Sequence, residues 1–225
     1  MQSKRLAVWR GWTCRLCLSA LVAHTQQAWA DGLQSLQDFL QHSTSGQAEF
    51  VQKVTAPSRE GKAPRVKTSQ GRLVYLRPDQ FRIDYTRPDE QTLLGDGKQF
   101  WYLDTGLKQV TVRDQKTTLA QAPITLIWTT TRIDALRASF DLSALPDADG
   151  LSWVEIVPKS LEGTLRQLKV GFQGQGRLTR VAVLEFSDGF GQTSRLELTP
   201  SQSWASIDKE TFQLKLPAGF QVLRP

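Results

Sequence analysis

From Ala48 onward the sequence keeps returning to a period of two, and that periodicity limits the fold more than any other feature of the chain. In Phe81-Arg82-Ile83-Asp84-Tyr85 apolar side chains alternate with charged ones, so an extended backbone puts Phe81, Ile83 and Tyr85 on one face. The same pattern marks candidate strands at 48–54, 69–76, 81–85, 91–95, 99–103 and 109–113. It returns at 153–157, 165–172, 178–187, 192–198 and 212–216. Between these runs stand Gly95-Asp96-Gly97, Asp104-Thr105-Gly106, Gly174-Gln175-Gly176 and Asp188-Gly189-Phe190-Gly191, which is tight-turn chemistry. About eleven short strands joined in this way predict one antiparallel meander, curled or barrel-like.

Three stretches depart from the alternation. Leu33, Leu36, Phe39 and Leu40 follow helical spacing after Asp31, a residue suited to cap a helix. Residues 56–67 carry Pro57, Pro64 and the basic residues Arg59, Lys62, Arg65 and Lys67, and read as an exposed loop. In 117–145, Pro123 opens the run Ile124, Leu126, Ile127 and Trp128, and Ile133, Leu136 and Phe140 follow at spacings of three and four. That spacing predicts one or two short helices after Pro123. Helices inserted into a curled sheet must cover an apolar face that would otherwise stay wet.

The first thirty residues are of a different kind. Lys4, Arg5, Arg10 and Arg15 come before or at the edge of the apolar run Leu16–Ala23, and Ala28-Trp29-Ala30 follows. A basic start, a short apolar run and a small-x-small site predict a secretory signal cleaved after Ala30, leaving 31–225 as a single domain. The run is too short to span a bilayer, which needs about 20 apolar residues. Both cysteines, Cys14 and Cys17, fall in this leader, so the expected mature chain has no thiol. The formal charge of +6 drops to +2 once the four basic leader residues are removed, which argues against nucleic acid as a partner.

The chemistry-bearing residues are sparse. His42 is the one histidine beyond the leader, so neither a Ser-His-Asp triad nor a His/Cys metal site can be assembled. Gly174-Gln175-Gly176-Arg177 sits in a hairpin pattern rather than before a helix, so it is no phosphate cradle. The acids Asp79, Asp84, Asp89 and Asp96 fall in turns or on polar strand faces. The expectation is therefore no enzyme, no cofactor and no metal. What remains is the apolar face itself, which is either an ordinary core or the wall of a cavity for an apolar guest. Periodicity does not separate the two.

A series of motifs then adds a resemblance. Phe50-Val51-Gln52-Lys53-Val54, Gly71-x-Leu73 leading to Arg77-Pro78, Phe81, Pro88-Asp89-Glu90 and Asp96-Gly97-Lys98-x-x-Trp101 come in one order. Ala122-Pro123-Ile124-Thr125-Leu126-Ile127, Leu198-Thr199-Pro200 and Phe212-x-Leu214-x-x-Pro217-x-Gly219 continue it. The ordered set resembles the periplasmic outer-membrane lipoprotein carrier (LolA) family over nearly all of 31–225. The resemblance implies an unclosed antiparallel β-barrel, mainly β, covered by an N-terminal helix and by central helices that act as a lid. It implies a periplasmic monomeric chaperone. Such a chaperone takes acylated lipoproteins from an inner-membrane ABC transporter and delivers them to an outer-membrane lipoprotein receptor.

Two copies of Arg-Pro-Asp flank the Phe81–Tyr85 face, at 77–79 and 87–89, and both read as turns. By the resemblance only Arg77 falls at the position that links sheet to lid, whereas Arg87 is expected to be solvated. On the sheet side the acyl-binding surface is expected to include Phe50, Phe81, Ile83, Tyr85 and Trp101. On the lid side it is expected to include Ile124, Leu126, Ile127, Trp128 and Phe140. A lipid-sensing module of similar fold is the second reading.

Overall fold

The computed structural model describes residues 32–58, 62–119, 123–200, 207–216 and 218–224. The expected leader, its cleavage site, Asp31, Arg59 and Ala122 lie outside them. Helix α1, Gly32–His42, is followed by six strands: β1 Ser45–Ala56, β2 Arg65–Leu76, β3 Gln80–Arg87, β4 Gln91–Asp96, β5 Gln99–Asp104 and β6 Gln109–Asp114. Three short helices interrupt the sheet: α2 Gln115–Leu119, α3 Pro123–Thr129 and α4 Ile133–Ser139. The chain then returns to strands: β7 Phe140–Ala148, β8 Leu151–Pro158, β9 Leu165–Gln173, β10 Arg180–Asp188, β11 Thr193–Pro200 and the short β12 Gln221–Leu223.

All twelve strands form one sheet in the order β12-β6-β5-β4-β3-β2-β1-β11-β10-β9-β8-β7. Two antiparallel meanders meet at β1, which pairs with β2 from Ser45 opposite Leu76 and with β11 from Ala48 opposite Pro200. The ends, β12 and β7, are not paired with each other, so the barrel stays unclosed. One face carries the apolar half of each alternation. Phe50, Leu73, Tyr75, Phe81 and Ile83 from one meander share a buried cluster with Val154, Leu168, Phe172 and Leu184 from the other. Helix α1 adds Leu36, Phe39 and Leu40 to that cluster, and α3 and α4 add Ile127, Trp128 and Leu136. Fully burying one such side chain contributes roughly 1.5–3 kcal/mol, so the helices are held mainly by what they cover.

Close packing on this face fixes where glycine must stand. At Gly71 an added Cβ would lie 2.2 Å from the Asp84 carbonyl oxygen and 2.6 Å from Phe50 Cζ. At Gly95 it would lie 2.3 Å from Phe81 Cε1. The missing side chains leave room for the Phe50 and Phe81 rings over neighbouring strands.

Three expectations need correction. Phe140 does not end a helix: α4 stops at Ser139 and Phe140 opens β7, which raises the strand count to twelve. As an outer strand β7 is half exposed, carries Pro146 and has a register irregularity between Leu145 and Ala148, so its alternation is weak. Residues 212–216 are not a strand. Lys209–Phe212 is a 3₁₀ turn against β3 and β4, tied by Arg82 Nη1 donating to the Thr211 carbonyl at 3.3 Å. The last strand is instead Gln221–Leu223, and it runs parallel to β6, so the sheet is not wholly antiparallel. Finally, the expected loop 56–67 is shorter than predicted, since β2 already begins at Arg65 with exposed residues.

An arginine-latched lid as the candidate functional site

β2 delivers its last residues, Tyr75 and Leu76, to the edge of the helical cover, and the next residue is Arg77. Its backbone N–H donates to Thr44 O at 2.8 Å, which fixes where the side chain starts. The guanidinium then reaches two helices at once. Nη1 donates to the carbonyls of Phe39 (3.1 Å), Leu40 (3.3 Å) and Ser43 (2.7 Å) at the end of α1. Nη2 donates to Ile127 O at 2.9 Å and Nε to Trp128 O at 3.2 Å, both at the end of α3. All five acceptors are main-chain carbonyls in or just beyond the last turns of α1 and α3, where a helix runs short of intrahelical donors, although Phe39 O also accepts from Ser43 N–H at 3.0 Å. A cation also suits the negative end of a helix dipole.

Among the described residues no carboxylate forms an ion pair with Arg77. Its positive charge instead lies over rings, with Cζ 4.6 Å from the Phe39 centroid and 5.7 Å from that of Tyr75. Burial lowers its pKa to about 10, partly offset by the Tyr75 oxygen, so it remains a cation at neutral pH. Burial likewise raises the Tyr75 hydroxyl, although its hydrogen bond with Ser43 Oγ and the nearby guanidinium pull the other way. The latch is therefore a desolvated cation whose donors go to main-chain oxygens.

Beneath the latch, α3 inserts Trp128 into the sheet's apolar face. The indole packs edge-on to Phe39 (6.1 Å between centroids) and tilted against Tyr75 (5.2 Å), and it is only 2% exposed. Among the described residues its Nε1–H has no acceptor. Phe39 in turn contacts Phe172 of β9, with 5.8 Å between ring centroids.

Most residues expected from the sequence are brought together here. Phe50, Phe81, Ile83, Ile127 and Trp128 are buried in one cluster, with Tyr85, Leu126 and Phe140 packed against it. Ile124 belongs to α3, but its side chain lies outside the described set. Trp101 is the exception. Strand β5 presents Phe100 to the chamber, which turns Trp101 and Leu103 to the opposite face. There Trp101 packs with Leu103, Val110, Val112, Phe220 and Val222, and its Nε1 donates to Asp96 Oδ2 at 3.1 Å. It is withdrawn from the acyl-facing set. The sequence pattern also passed over Phe39, Tyr75 and Phe172. Tyr75 could have been found from its alternation with Leu73, and Phe39 from helical spacing.

The buried cluster is mainly apolar, and a second tyrosine hydroxyl is paired within it besides that of Tyr75. Tyr85 OH donates to Gln52 Oε1 at 2.8 Å, with the Tyr85 ring 5.2 Å from Phe50. Burial, with a smaller contribution from Tyr102, pushes the Tyr85 hydroxyl up to about 12. Among the described residues no cluster of His, Cys, Asp and Glu could hold a metal ion. The arrangement offers an apolar sheet face, a helical cover and one arginine that bridges α1 and α3.

The family model described as "Outer membrane lipoprotein carrier protein LolA" matches residues 41–215. The chain is 40% identical over 204 residues to the outer-membrane lipoprotein carrier protein of Albidiferax ferrireducens, covering 91% of this chain and 96% of that one. Against the Methylibium petroleiphilum protein of the same name it is 37% identical over 214 residues, covering 95% and 97%. Against that of Leptothrix cholodnii it is 40% identical over 197 residues, covering 88% and 87%.

Proposed function

This chain belongs to the outer-membrane lipoprotein carrier (LolA) family, whose members are chaperones rather than enzymes, and on that premise we propose that it carries acylated lipoproteins through the periplasm. As a monomer it accepts them from an inner-membrane ABC exporter, shields their acyl chains between the sheet and the lid, and passes them to an outer-membrane receptor. It reaches the periplasm by losing residues 1–30, which sequencing of the mature N-terminus should find starting at Asp31.

The observation that carries this reading is the split set of bonds from Arg77. One side chain holds α1 and α3 together through five main-chain carbonyls, so that giving up the two α3 bonds frees the lid without disturbing β2. The energetics require such a device. Acyl burial contributes about 0.8 kcal/mol per CH₂, so several chains would together bind far too tightly to be handed on. Lifting α3 costs the burial of Ile127 and Trp128, roughly 1.5–3 kcal/mol each, plus the Arg77 bonds. These costs offset part of the acyl gain, so the cargo moves on to any receptor that holds it better.

The test is a transfer assay. Purified protein is incubated with inner-membrane vesicles that hold a labelled lipoprotein and an active exporter, and then with membranes that carry the receptor. Stoichiometric release followed by delivery is expected. Binding of acyl probes with no release from the vesicles would overturn the carrier role and favour a sensing role.

A further inference from the structure

The indole N–H of Trp128 is a buried donor with no acceptor among the described residues. Two aromatic rings, Phe39 and Tyr75, flank it, in a cluster made mostly of hydrocarbon side chains. The polar groups nearest in role are already engaged. The Tyr75 hydroxyl is bonded with Ser43, the Tyr85 hydroxyl with Gln52, and the carbonyls of Ile127 and Trp128 accept from Arg77. An unsatisfied buried N–H costs free energy in the ligand-free state, so its place calls for an explanation. Water alone is a poor answer, because a buried water needs two to four polar partners, and the other buried side-chain atoms without a partner among the described residues, Ser35 Oγ and Thr179 Oγ1, stand on α1 and just before β10 rather than on the lid. A better fit is an acceptor that brings its own apolar mass.

Building on the carrier reading above, we propose that the Trp128 indole N–H donates to the carbonyl oxygen of an acyl ester or amide, so that the chamber recognises acyl chains rather than alkyl chains. The carbonyl is the one polar atom an acyl chain must bring with it into an apolar site. A single donor on α3 also places recognition on the element that must move. Cargo that satisfies the N–H offsets the ring packing against Phe39 and Tyr75 that the lid gives up on opening, whereas a plain hydrocarbon does not.

The experiment uses the mature protein and displacement of bound anilinonaphthalene sulfonate by two lipids matched in chain length, dioctanoylglycerol and the dioctyl ether of glycerol. The wild type is expected to prefer the ester by about tenfold, the yield of one neutral hydrogen bond. In Trp128→Phe, which removes the donor and keeps an aromatic ring, the ester-over-ether preference should fall to about twofold or less, whatever shift in affinity the two lipids share. As a readout independent of the variant's folding, ¹⁵N-tryptophan spectra of the wild type should show the Trp128 indole proton moving downfield with the ester and not with the ether. Equal affinity of the wild type for both lipids, a preference retained in Trp128→Phe, or an indole signal blind to the ester would each overturn the inference while leaving the carrier reading intact. Displacement by neither lipid would overturn both.

Discussion

Arg77 Nη2 donates to the main-chain oxygen of Ile127 at 2.9 Å, joining the end of β2 to the end of α3 across a separation of 50 residues. With the neighbouring bond to Trp128 O, this contact ties α3 to the end of β2.

Replacing Arg77 with leucine removes those bonds while keeping much of the apolar stem. Hydrogen bonds from a charged donor contribute roughly 1.5–3 kcal/mol each, so losing two should shift the lid equilibrium toward open by about a hundredfold or more. The variant should fold, bind acyl probes at least as tightly as the wild type, and pass on cargo at least about tenfold more slowly. Arg77→Lys, with one compact ammonium in place of a planar fork, should fall between them. Probe titration and the transfer assay together decide it, and transfer by the leucine variant at the wild-type rate would remove the latch from the mechanism.

The two faces of the sheet should separate function from scaffold. Phe81→Ala removes a buried ring from the chamber and should cost about 3–5 kcal/mol of stability as well as weakening acyl-probe binding. Trp101→Ala should leave probe affinity unchanged and instead loosen the C-terminal strand, whose Phe220 and Val222 rest on it. Faster amide exchange at residues 221–223, with no change in the probe isotherm, is the expected signature.

Strand pairing over Gly71 leaves no space for a methyl group, and the obstructing atom is the main-chain oxygen of Asp84. Gly71→Ala is therefore expected to cost about 3 kcal/mol, whereas Gly163→Ala, with nothing near its Cβ, should be almost neutral. For a chain of this length that difference corresponds to roughly 10 °C in Tm by calorimetry.

Alkaline stability should depend on Tyr85. Its folded pKa is pushed up to about 12 by burial, with Tyr102 adding to it, against about 10 in an unfolded chain. Between these values the unfolded chain has shed a proton that the folded chain keeps. The stabilisation is full below pH ~10 and is lost as pH rises through ~12. Arg77, lowered to about 10, acts in the opposite sense over the range above that, where the unfolded chain is the one that holds the proton. The clean measure is thus a difference between variants. From about pH 9 to about pH 12, Tyr85→Phe should lose less stability than the wild type by roughly 2 kcal/mol in denaturant titrations.

Much of this architecture can be read from the residues, because a strand with one buried face has little choice of pattern. Phe81, Ile83 and Tyr85 alternate with Arg82 and Asp84, and the pleat does the rest. Where both faces are apolar the pattern loses its meaning. Phe100, Trp101, Tyr102 and Leu103 form one continuous apolar run, and only pairing with β4 and β6 assigns Phe100 to the chamber and Trp101 to the other side. Strand β7 escaped notice because an outer strand is held on one side only and can carry Pro146. The parallel strand β12 is three residues long and exists because β6 offers it an edge, a tertiary circumstance with no local signal. The α1 half of the Arg77 contacts was equally invisible, since nothing in Phe39, Leu40 or Ser43 as residue types advertises a free carbonyl.

The position of β1 between β2 and β11 also bears on how the chain is made and exported. Strands β1 to β6 are neighbours in sequence and can zip together as they emerge, and so can β7 to β11. The seam is different: on the flank away from β2, Ala48–Thr55 pairs with Thr193–Pro200. Until that late segment arrives, one flank of β1 is an open edge, with Phe50 and its neighbours lacking half of their cover. A chain threaded across a membrane from its N-terminus therefore keeps one flank of β1 unpaired until residues 193–200 follow, and a ribosome stalled before codon 193 leaves a sheet that other unpaired strands can extend.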